Sequence, residues 1–301
     1  MTKVQKNWKR YYQLYLLLLL PIAYFLVFKY IPMAGNVLAF RKYQMGGSIF
    51  GAKWVGLKYF QMFWKDAQFW NVFKNTFVLS FLNFLIGFPI PIIFALLLNE
   101  ITNNIFKRFI QTVSYLPKFF STVVVVGMIQ LLLSPSSGIV NKAIVAMGGT
   151  SVYFVTEASW FRPIYIISDI WQFMGWNAII YIAALTNVSP DLYEAAEIDG
   201  ASRWKQTIHV TIPGIMPTIA ITLIMSAGYI LSVGYEKILL LYSPSIYDVA
   251  DVLQTYTYRL GIIQSNYSYT TAVGLFQSVI SLVLLWSVNK FSKNVLDESL
   301  W

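Results

Sequence analysis

Cysteine is absent from this 301-residue chain, and histidine occurs once, at His209. Without cysteine there can be no disulfide, iron–sulfur cluster, thiolate zinc site or cysteine nucleophile. A single histidine cannot supply a multi-histidine metal centre. The sequence also lacks a glycine-rich loop that ends in Lys-Ser or Lys-Thr, so we expect no ATP chemistry in this chain and no bound cofactor.

Charged residues are also scarce, at 12% of the chain, whereas a soluble domain usually has about 25%. In their place the chain has 57% hydrophobic and 17% aromatic residues, which predicts a polytopic membrane protein. A net charge of +9 would suggest nucleic acid for a soluble protein. Here much of that charge lies beside apolar segments, where Lys and Arg set topology and meet anionic lipid.

Six apolar stretches are long enough to cross a bilayer core, which needs about 20 apolar residues per helix. They are residues 14–31, 75–98, 109–133, 163–185, 215–242 and 270–288. The sequence therefore predicts an all-α, multi-pass membrane protein with six transmembrane helices and with both termini on one side.

The N-terminus is basic and predicts a cytoplasmic start. Lys3, Lys6, Lys9 and Arg10 precede the first apolar run, and no small-residue cleavage site follows it, so we expect a retained signal-anchor helix. The loops on the same side also carry Lys107, Arg108, Arg203, Lys205, Lys290 and Lys293. The first outer loop contains Arg41, Lys42, Lys53, Lys58 and Lys65, which is evidence against this orientation. Because the first helix often dominates the orientation of a membrane protein, the prediction follows the first helix.

Two outer segments have helical patterns. Residues 138–147 predict a short, half-apolar helix that is closed by Gly148 and Gly149. In the last outer loop Ile246, Val249, Leu253 and Tyr256 recur at helical spacing, which predicts an amphipathic helix resting on the bundle.

The loop at residues 189–213 has the features of a compact helical knob. Ser189 is a good N-cap, Pro190 suits the first helical position, and Gly200 follows where a left-handed residue is wanted. Ser202 can cap a second short helix, which we expect to end before Pro213. The knob could be an ordinary structured loop or a handle for a soluble partner. Its acidic charge argues against binding to DNA.

Polar residues inside the predicted spans are costly and therefore suggest function. Asp169, Gln172 and Trp176 share one helix face, with Asn177 beside it, and an acid, amides and an indole suit a sugar. Alternatively, Asp169 pairs with Lys118 or Arg162 and only holds helices together. Glu236 and Lys237, near the outer end of the fifth predicted span, could gate or bind, or form a structural pair. The candidates for a substrate pathway are Asp169, Gln172, Trp176, Asn177, Tyr229 and Glu236.

The knob contains a spaced motif that resembles a known family. Glu194-Ala195-Ala196, three residues, Gly200, nine residues and then Val210-Thr211-Ile212-Pro213 is similar to the EAA loop, E-A-A-x3-G-x9-I-x-L-P, of permease subunits in binding-protein-dependent ABC importers. Val210 and Ile212 replace the usual Ile and Leu, which are conservative changes. Segments such as 161–165, 168–172 and 232–240 resemble the carbohydrate-uptake branch, specifically the LplB-like permeases of oligosaccharide and polysaccharide importers. Lys118 departs from the His expected there.

The resemblance implies one permease domain of the MetI-like, type I importer fold, with a core at about 71–290, in a bacterial plasma membrane. It implies that the knob is a coupling helix that docks in a cleft of a cytoplasmic ATPase. The residues implied for docking are Glu194, Ala195, Ala196, Asp199, Gly200 and Pro213. The implied partners are a second homologous permease, two ATPase subunits that bind ATP and Mg²⁺, an extracellular substrate-binding protein and membrane lipid, with no nucleic acid.

Two other function classes stay open at this point. An ion-coupled carrier or a channel working alone usually has inverted repeats or a tighter cluster of intramembrane acids, and neither is evident. A membrane enzyme such as a glycosyl transferase would need a convergent set of acid, base or metal ligands. Asp169 and Glu236 alone do not supply such a set, so we expect a subunit that is not an enzyme.

Overall fold

The chain is a helical protein in the computed structural model, which describes residues 3–300 and, from residue 11 onward, their side chains. The side chains of the basic N-terminal cluster therefore lie outside the described part. The α-helices are α1 Lys3–Phe25, α2 Ile31–Met33, α3 Lys58–Lys65, α4 Ala67–Gly87, α5 Pro89–Asn99, α6 Asn104–Tyr115, α7 Thr122–Leu132, α8 Ile139–Ala146, α9 Ala158–Leu185, α10 Pro190–Ile198, α11 Arg203–Gln206, α12 Ile212–Gly228, α13 Tyr235–Leu241, α14 Tyr247–Ala250, α15 Leu253–Thr257 and α16 Tyr267–Leu296. Two short strands, β1 Arg41–Lys42 and β2 Lys53–Trp54, pair antiparallel.

The chain forms two compact units. The first contains residues up to 66 together with 257–276, and its N-terminal helix leaves apolar side chains such as Leu17 and Leu20 exposed by 71% and 75%. In the same unit the β1–β2 hairpin is tied to the start of α16, because Ser268 Oγ donates to the Arg41 carbonyl at 2.7 Å.

The second unit, residues 67–256 and 277–300, is built around α9. This 28-residue helix packs against α4, α5, α6 and α12. Its N-terminal half belongs to an apolar core with Leu79, Phe161, Tyr165, Ile238 and Ile246, and its C-terminal half belongs to a second core with Ala95, Ala178, Tyr181, Leu185 and Ile215. Gly175 allows the closest of these contacts, since a Cβ there would lie 2.3 Å from the Ser114 carbonyl oxygen of α6.

By length and composition, four helical segments of the described residues are able to cross a membrane, and a bent pair makes up to five. The four are Tyr11–Phe40, Ala67–Asn99, Arg203–Gly228 and Tyr267–Leu296. Helix α9 contains the fourth predicted span, and at about 1.5 Å per residue it is about 42 Å long. It is not among these four segments, and it carries Arg162, Asp169, Gln172 and several Trp and Tyr residues.

The third predicted span, residues 109–133, is sharply bent in the structure. Helices α6 and α7 meet at an angle of 101°, with a 3₁₀ turn at Leu116–Phe119 between them. Pro117 is in that turn, and Ser121 begins α7 by accepting a hydrogen bond from the Val124 N–H at 3.3 Å. The apolar run hid the bend because a change of direction does not alter hydropathy.

The fifth predicted span, residues 215–242, is also interrupted. Helix α12 ends at Gly228 and the next helix, α13, begins at Tyr235. The Gly234 N–H donates to the Tyr165 hydroxyl of α9 at 3.0 Å, which satisfies one backbone group that the break sets free. The segment between Gly228 and Tyr235 therefore reaches the interior of the unit as non-helical chain.

The last outer loop is part of the core rather than a helix resting on the surface. Ile246, Leu253 and Tyr256 are 1%, 0% and 2% exposed, and the segment divides into a 3₁₀ turn and the short helices α14 and α15. Asn75 of α4 holds this segment by donating to the Asp248 carbonyl at 2.8 Å. The helical spacing of these apolar residues therefore reflects burial in the core and not an amphipathic surface helix.

We predict that Gly175→Ala destabilises the protein, because the new methyl group would meet the Ser114 backbone oxygen on α6. Overpacking of this kind costs about 1–3 kcal/mol of unfolding free energy. Gly127→Ala on α7 is the matched control, since no atom lies within 4 Å of a Cβ built there. The thermal unfolding midpoint of the purified protein in detergent should fall for Gly175→Ala alone. Equal midpoints would contradict the close packing of α6 on α9.

Candidate functional sites: a projecting loop and a helix-lined cavity

The projecting loop is a short helix with a well-formed C-terminal cap. Helix α10 is followed by Gly200 at φ +75°, where a glycine avoids the cost of a left-handed backbone. The Ala201 N–H donates to the Ala196 carbonyl at 2.8 Å and the Gly200 N–H to the Glu197 carbonyl at 3.0 Å, which is the Schellman arrangement. Ser189 and Ser202 occupy the predicted cap positions but make no side-chain cap bond.

The second helix of the loop does not end before Pro213, as the sequence had suggested. Helix α11 continues through a π-helical turn, Thr207–Thr211, into α12, so Pro213 lies inside a continuous helical segment, directly after the π-helical turn. One contact fixes α10 to this helix, and a second fixes Val188, which precedes α10 by two residues. The hydroxyls of Tyr193 and Thr211 lie 3.0 Å apart, and a Cβ at Gly214 would come within 2.9 Å of a Val188 methyl group.

The surface of the loop is both acidic and apolar. Glu194, Ala195, Asp199, Gly200 and Pro213 are exposed, and Ala196 is half-buried. Three large apolar side chains, which the sequence reasoning did not single out, are also exposed: Leu192 by 53%, Ile198 by 87% and Trp204 by 73%. Their presence among acidic residues was the signal that could have identified them. Such a patch on a projecting element is typical of a protein-binding surface.

A cavity of about 690 Å³ lies in the second unit, between α4, α9, α12 and the segment that follows α12. Its walls carry aromatic rings, including Phe84, Phe173 and Tyr181, together with hydroxyls such as Ser80, Thr222 and Ser226. Asp169 is the one formally charged side chain among the described residues that line it. Flat apolar faces with a few polar groups are typical of a site for a small organic ligand.

Asp169 pairs with Lys237 of α13, and not with either predicted partner. Its Oδ1 lies 3.6 Å from Lys237 Nζ, and its Oδ2 accepts a hydrogen bond from Asn83 Nδ2 at 3.1 Å. Lys237 is only 5% exposed, lies over the Tyr165 ring and reaches the Tyr165 carbonyl at 3.5 Å. Lys118 instead lies over the Phe173 ring, and Arg162 donates to Asn75 Oδ1 at 3.3 Å.

The structure brings four of the six predicted pathway residues to the cavity: Asp169, Trp176, Asn177 and Tyr229. Gln172 is elsewhere, because it is buried and donates to the Phe120 carbonyl at 3.2 Å. Glu236 is exposed and is not among the lining residues, and its proposed pairing with Lys237 is replaced by the Asp169 contact. Asn83 was missed, although an amide in an apolar span was the same signal that had identified Asn177.

The fold and these two sites define a class: an all-α membrane protein with a cavity between its helices and a projecting loop on which a partner could dock. The family model for the inner membrane component of binding-protein-dependent transport systems matches residues 87–297. The chain belongs to this family, and with it the MetI-like permease fold of ABC importers is established.

Two relatives from Bacillus subtilis (strain 168) match nearly the whole chain. The polygalacturonan/rhamnogalacturonan transport system permease protein YteP is 44% identical over 288 residues, which cover 96% of this chain and 90% of that protein. Protein LplB is 40% identical over 293 residues, which cover 97% of this chain and 92% of that protein.

Two solved structures have the same fold as this chain, at about the same sequence identity as the two relatives. A chain of a bacterial ABC transporter involved in the import of the acidic polysaccharide alginate has a TM-score of 0.89 and 42% identity, and the match covers 98% of this chain and 99% of that one. A chain of the alginate transporter in complex with alginate pentasaccharide-bound periplasmic protein has a TM-score of 0.90 and 41% identity, with 99% and 100% covered.

We predict that breaking the Asp169–Lys237 pair is costly and that removing both charges is less so. Asp169→Asn or Lys237→Met alone leaves one buried charge without its partner, which costs about 3 kcal/mol or more. The double variant should lose less unfolding free energy than the two single variants lose together. Thermal unfolding of the wild-type protein, both single variants and the double variant measures this in a double-mutant cycle.

The exposed pair of Arg203 and Glu100, with side chains exposed by 76% and 44%, is the matched control. Glu100→Gln should leave the unfolding midpoint nearly unchanged, because exposed ion pairs contribute little. Strict additivity of the Asp169 and Lys237 variants would contradict a direct interaction between these two side chains.

Proposed function

We propose that this protein is a transmembrane permease subunit of an ATP-driven importer of oligosaccharides derived from polysaccharides. The observation that carries the proposal is the cavity itself, in which aromatic faces, hydroxyls and amides surround one carboxylate. Aromatic faces cover the apolar face of a sugar ring, and amides and carboxylates bind its hydroxyls. Relatives named for polygalacturonan and for the acidic polysaccharide alginate support a uronic-acid chain as cargo.

The energy for transport comes from two separate ATPase subunits, and the loop around α10 is where they dock. Its exposed apolar residues, Leu192, Ile198 and Trp204, supply contact area, and Glu194 and Asp199 supply charge that can meet basic groups. A second, homologous permease covers the exposed face of the N-terminal helix and completes the pore. An extracellular binding protein delivers the sugar. In this arrangement the protein crosses a bacterial plasma membrane with both termini in the cytoplasm, and it performs no catalysis.

The loop can transmit movement to the cavity because both belong to one helical rod. Helices α11 and α12 are continuous through the π-helical turn, and α12 carries Thr222 and Ser226 on the cavity wall. The Tyr193–Thr211 contact ties α10 to the same rod. A displacement of α10 by the ATPase therefore moves a wall of the cavity, which is the coupling that an importer needs.

Reconstitution tests this function directly. The protein is purified through a tag together with its second permease and ATPase subunits, and placed in liposomes with the binding protein. Galacturonate and mannuronate trisaccharides, with a neutral xylan trisaccharide for comparison, should stimulate ATP hydrolysis and enter the liposomes only when ATP is present. Sugar entry by this chain alone, driven by an ion gradient and without an ATPase, would instead establish the carrier alternative.

We predict that Gly200→Val lowers ATP-dependent sugar uptake by about fivefold or more while membrane insertion is unchanged. A β-branched residue at φ +75° costs about 1–2 kcal/mol, and relief of that strain would turn α10 away from its docking position. Gly200→Asn is the matched control, because Asn tolerates the left-handed region. Uptake by Gly200→Val equal to that of Gly200→Asn would show that the geometry of this cap is not needed for coupling.

A further inference from the structure

The cavity wall beside Asp169 has two polar atoms without hydrogen-bond partners. Ser80 and Asn83 both line the cavity and lie three residues apart on α4, so they are neighbours on one helix face. Ser80 Oγ and Asn83 Oδ1 are buried, and neither has a hydrogen-bond partner among residues 3–300. A buried polar atom without a partner costs free energy, so these two require an explanation.

Ser80 differs from other hydroxyl residues on the helices of this unit. Thr76, Ser114, Ser168 and Thr222 each donate to the carbonyl four residues earlier, at 2.8, 2.6, 2.6 and 2.8 Å. That local bond is the usual arrangement for a buried serine or threonine in a helix. Ser80 is 5% exposed and makes no such bond in the described part of the chain, so its hydroxyl keeps both its donor and its acceptor capacity.

Two donors in this part of the wall, Asn83 Nδ2 and Lys237 Nζ, point to Asp169. The groups left open are mainly acceptors: Asn83 Oδ1 and the other lone pairs of the Asp169 carboxylate, together with the Ser80 hydroxyl, which can donate or accept. The Asp169 side chain is 25% exposed, and it faces a cavity in which it carries the one formal charge among the described lining residues. This wall therefore offers mainly hydrogen-bond acceptors, and a carboxylate, which only accepts, finds few partners there.

We propose that Ser80, Asn83 and Asp169 form a subsite for the hydroxyl edge of a sugar residue. Ring hydroxyls donate to the three side chains, the Ser80 hydroxyl turns towards the sugar as it binds, and any carboxylate of the sugar points away from this wall. Lys237 is a positioning residue: it is not among the lining residues of the cavity, and its ion pair holds the Asp169 carboxylate in place. This inference rests on the proposed function, and it names the group of the cargo that the cavity recognises: neighbouring free hydroxyls rather than a carboxylate.

Ser80→Ala tests the subsite without breaking a bond within the protein, since Ser80 Oγ has no partner among residues 3–300. The reconstituted complex is titrated with binding protein loaded with galacturonate or mannuronate trisaccharide, and ATP hydrolysis is measured. The half-saturating concentration should rise about 3- to 10-fold, the usual loss for one hydrogen bond. Ser292→Ala is the matched control: Ser292 Oγ is also buried without a partner in the described residues, but it is not at the cavity.

A second arm uses chemically modified trisaccharides to separate hydroxyls from carboxylates. Methyl esterification removes the charge of the sugar. It should leave unchanged the ratio of the half-saturating concentrations of Ser80→Ala and the wild-type protein. O-acetylation blocks the ring hydroxyls and should bring that ratio close to one, because the wild-type protein then loses the contact as well. The binding protein is the same in every assay, so differences between variants belong to this chain.

The outcomes separate the two proposals. A wild-type complex that responds to no saccharide would overturn the proposed function, and the subsite with it. If the wild-type complex responds and Ser80→Ala does not differ from it, the function stands and the subsite is wrong. An equal rise of the half-saturating concentration in Ser80→Ala and Ser292→Ala would indicate a packing effect and would also overturn the subsite. If methyl esterification abolishes the Ser80→Ala effect and O-acetylation does not, the assignment of hydroxyls as the recognised group is overturned.

Discussion

A carboxylate inside a helix bundle needs a compensating cation, and the cation that Asp169 uses decides much of this structure. Lys237 can reach Asp169 only because the chain after α12 leaves its helix at Gly228 and α13 restarts at Tyr235. The break brings the Gly234 N–H to the Tyr165 hydroxyl and places Ile238 in the core of α9. The cavity is bounded by the same break, since Tyr229 and Gly234 are among its lining residues.

The cavity and the projecting loop are linked by the continuity of one helix. A rod from Arg203 to Gly228 has one end in the loop and the other at the cavity, and its π-helical turn lets it pass Pro213 without ending. Helix α10 is fixed to this rod by one hydroxyl contact, and Val188 just before α10 packs on Gly214 of the same rod. A membrane protein that couples a soluble partner to a solute pathway needs such a rigid connection, because packed helices move as bodies.

Local features were predictable from the sequence and distant pairings were not. The first helix of the loop was predicted, because a proline at its first position and a left-handed glycine after its end act within a few residues of each other. The side-chain caps of Ser189 and Ser202 and the end of the second helix were wrong. The angle between α6 and α7, the length of the break after α12 and the burial of residues 246–256 did not follow from the sequence. All three depend on what another part of the chain offers in space, and hydropathy records only that a segment is apolar.

The sequence by itself determined that the protein is helical and crosses membranes, and that a capped acidic helix projects from it. These conclusions follow from composition, apolar run length and short-range spacing, which need no knowledge of the fold. Only the tertiary structure decided that Asp169 pairs with Lys237, that Gln172 and Glu236 stay outside the cavity, and that Ser80 and Asn83 belong to it. The physical reason is that a charge or an unpaired hydroxyl takes its partner from whatever side chains the packing of helices brings near, at any distance along the chain.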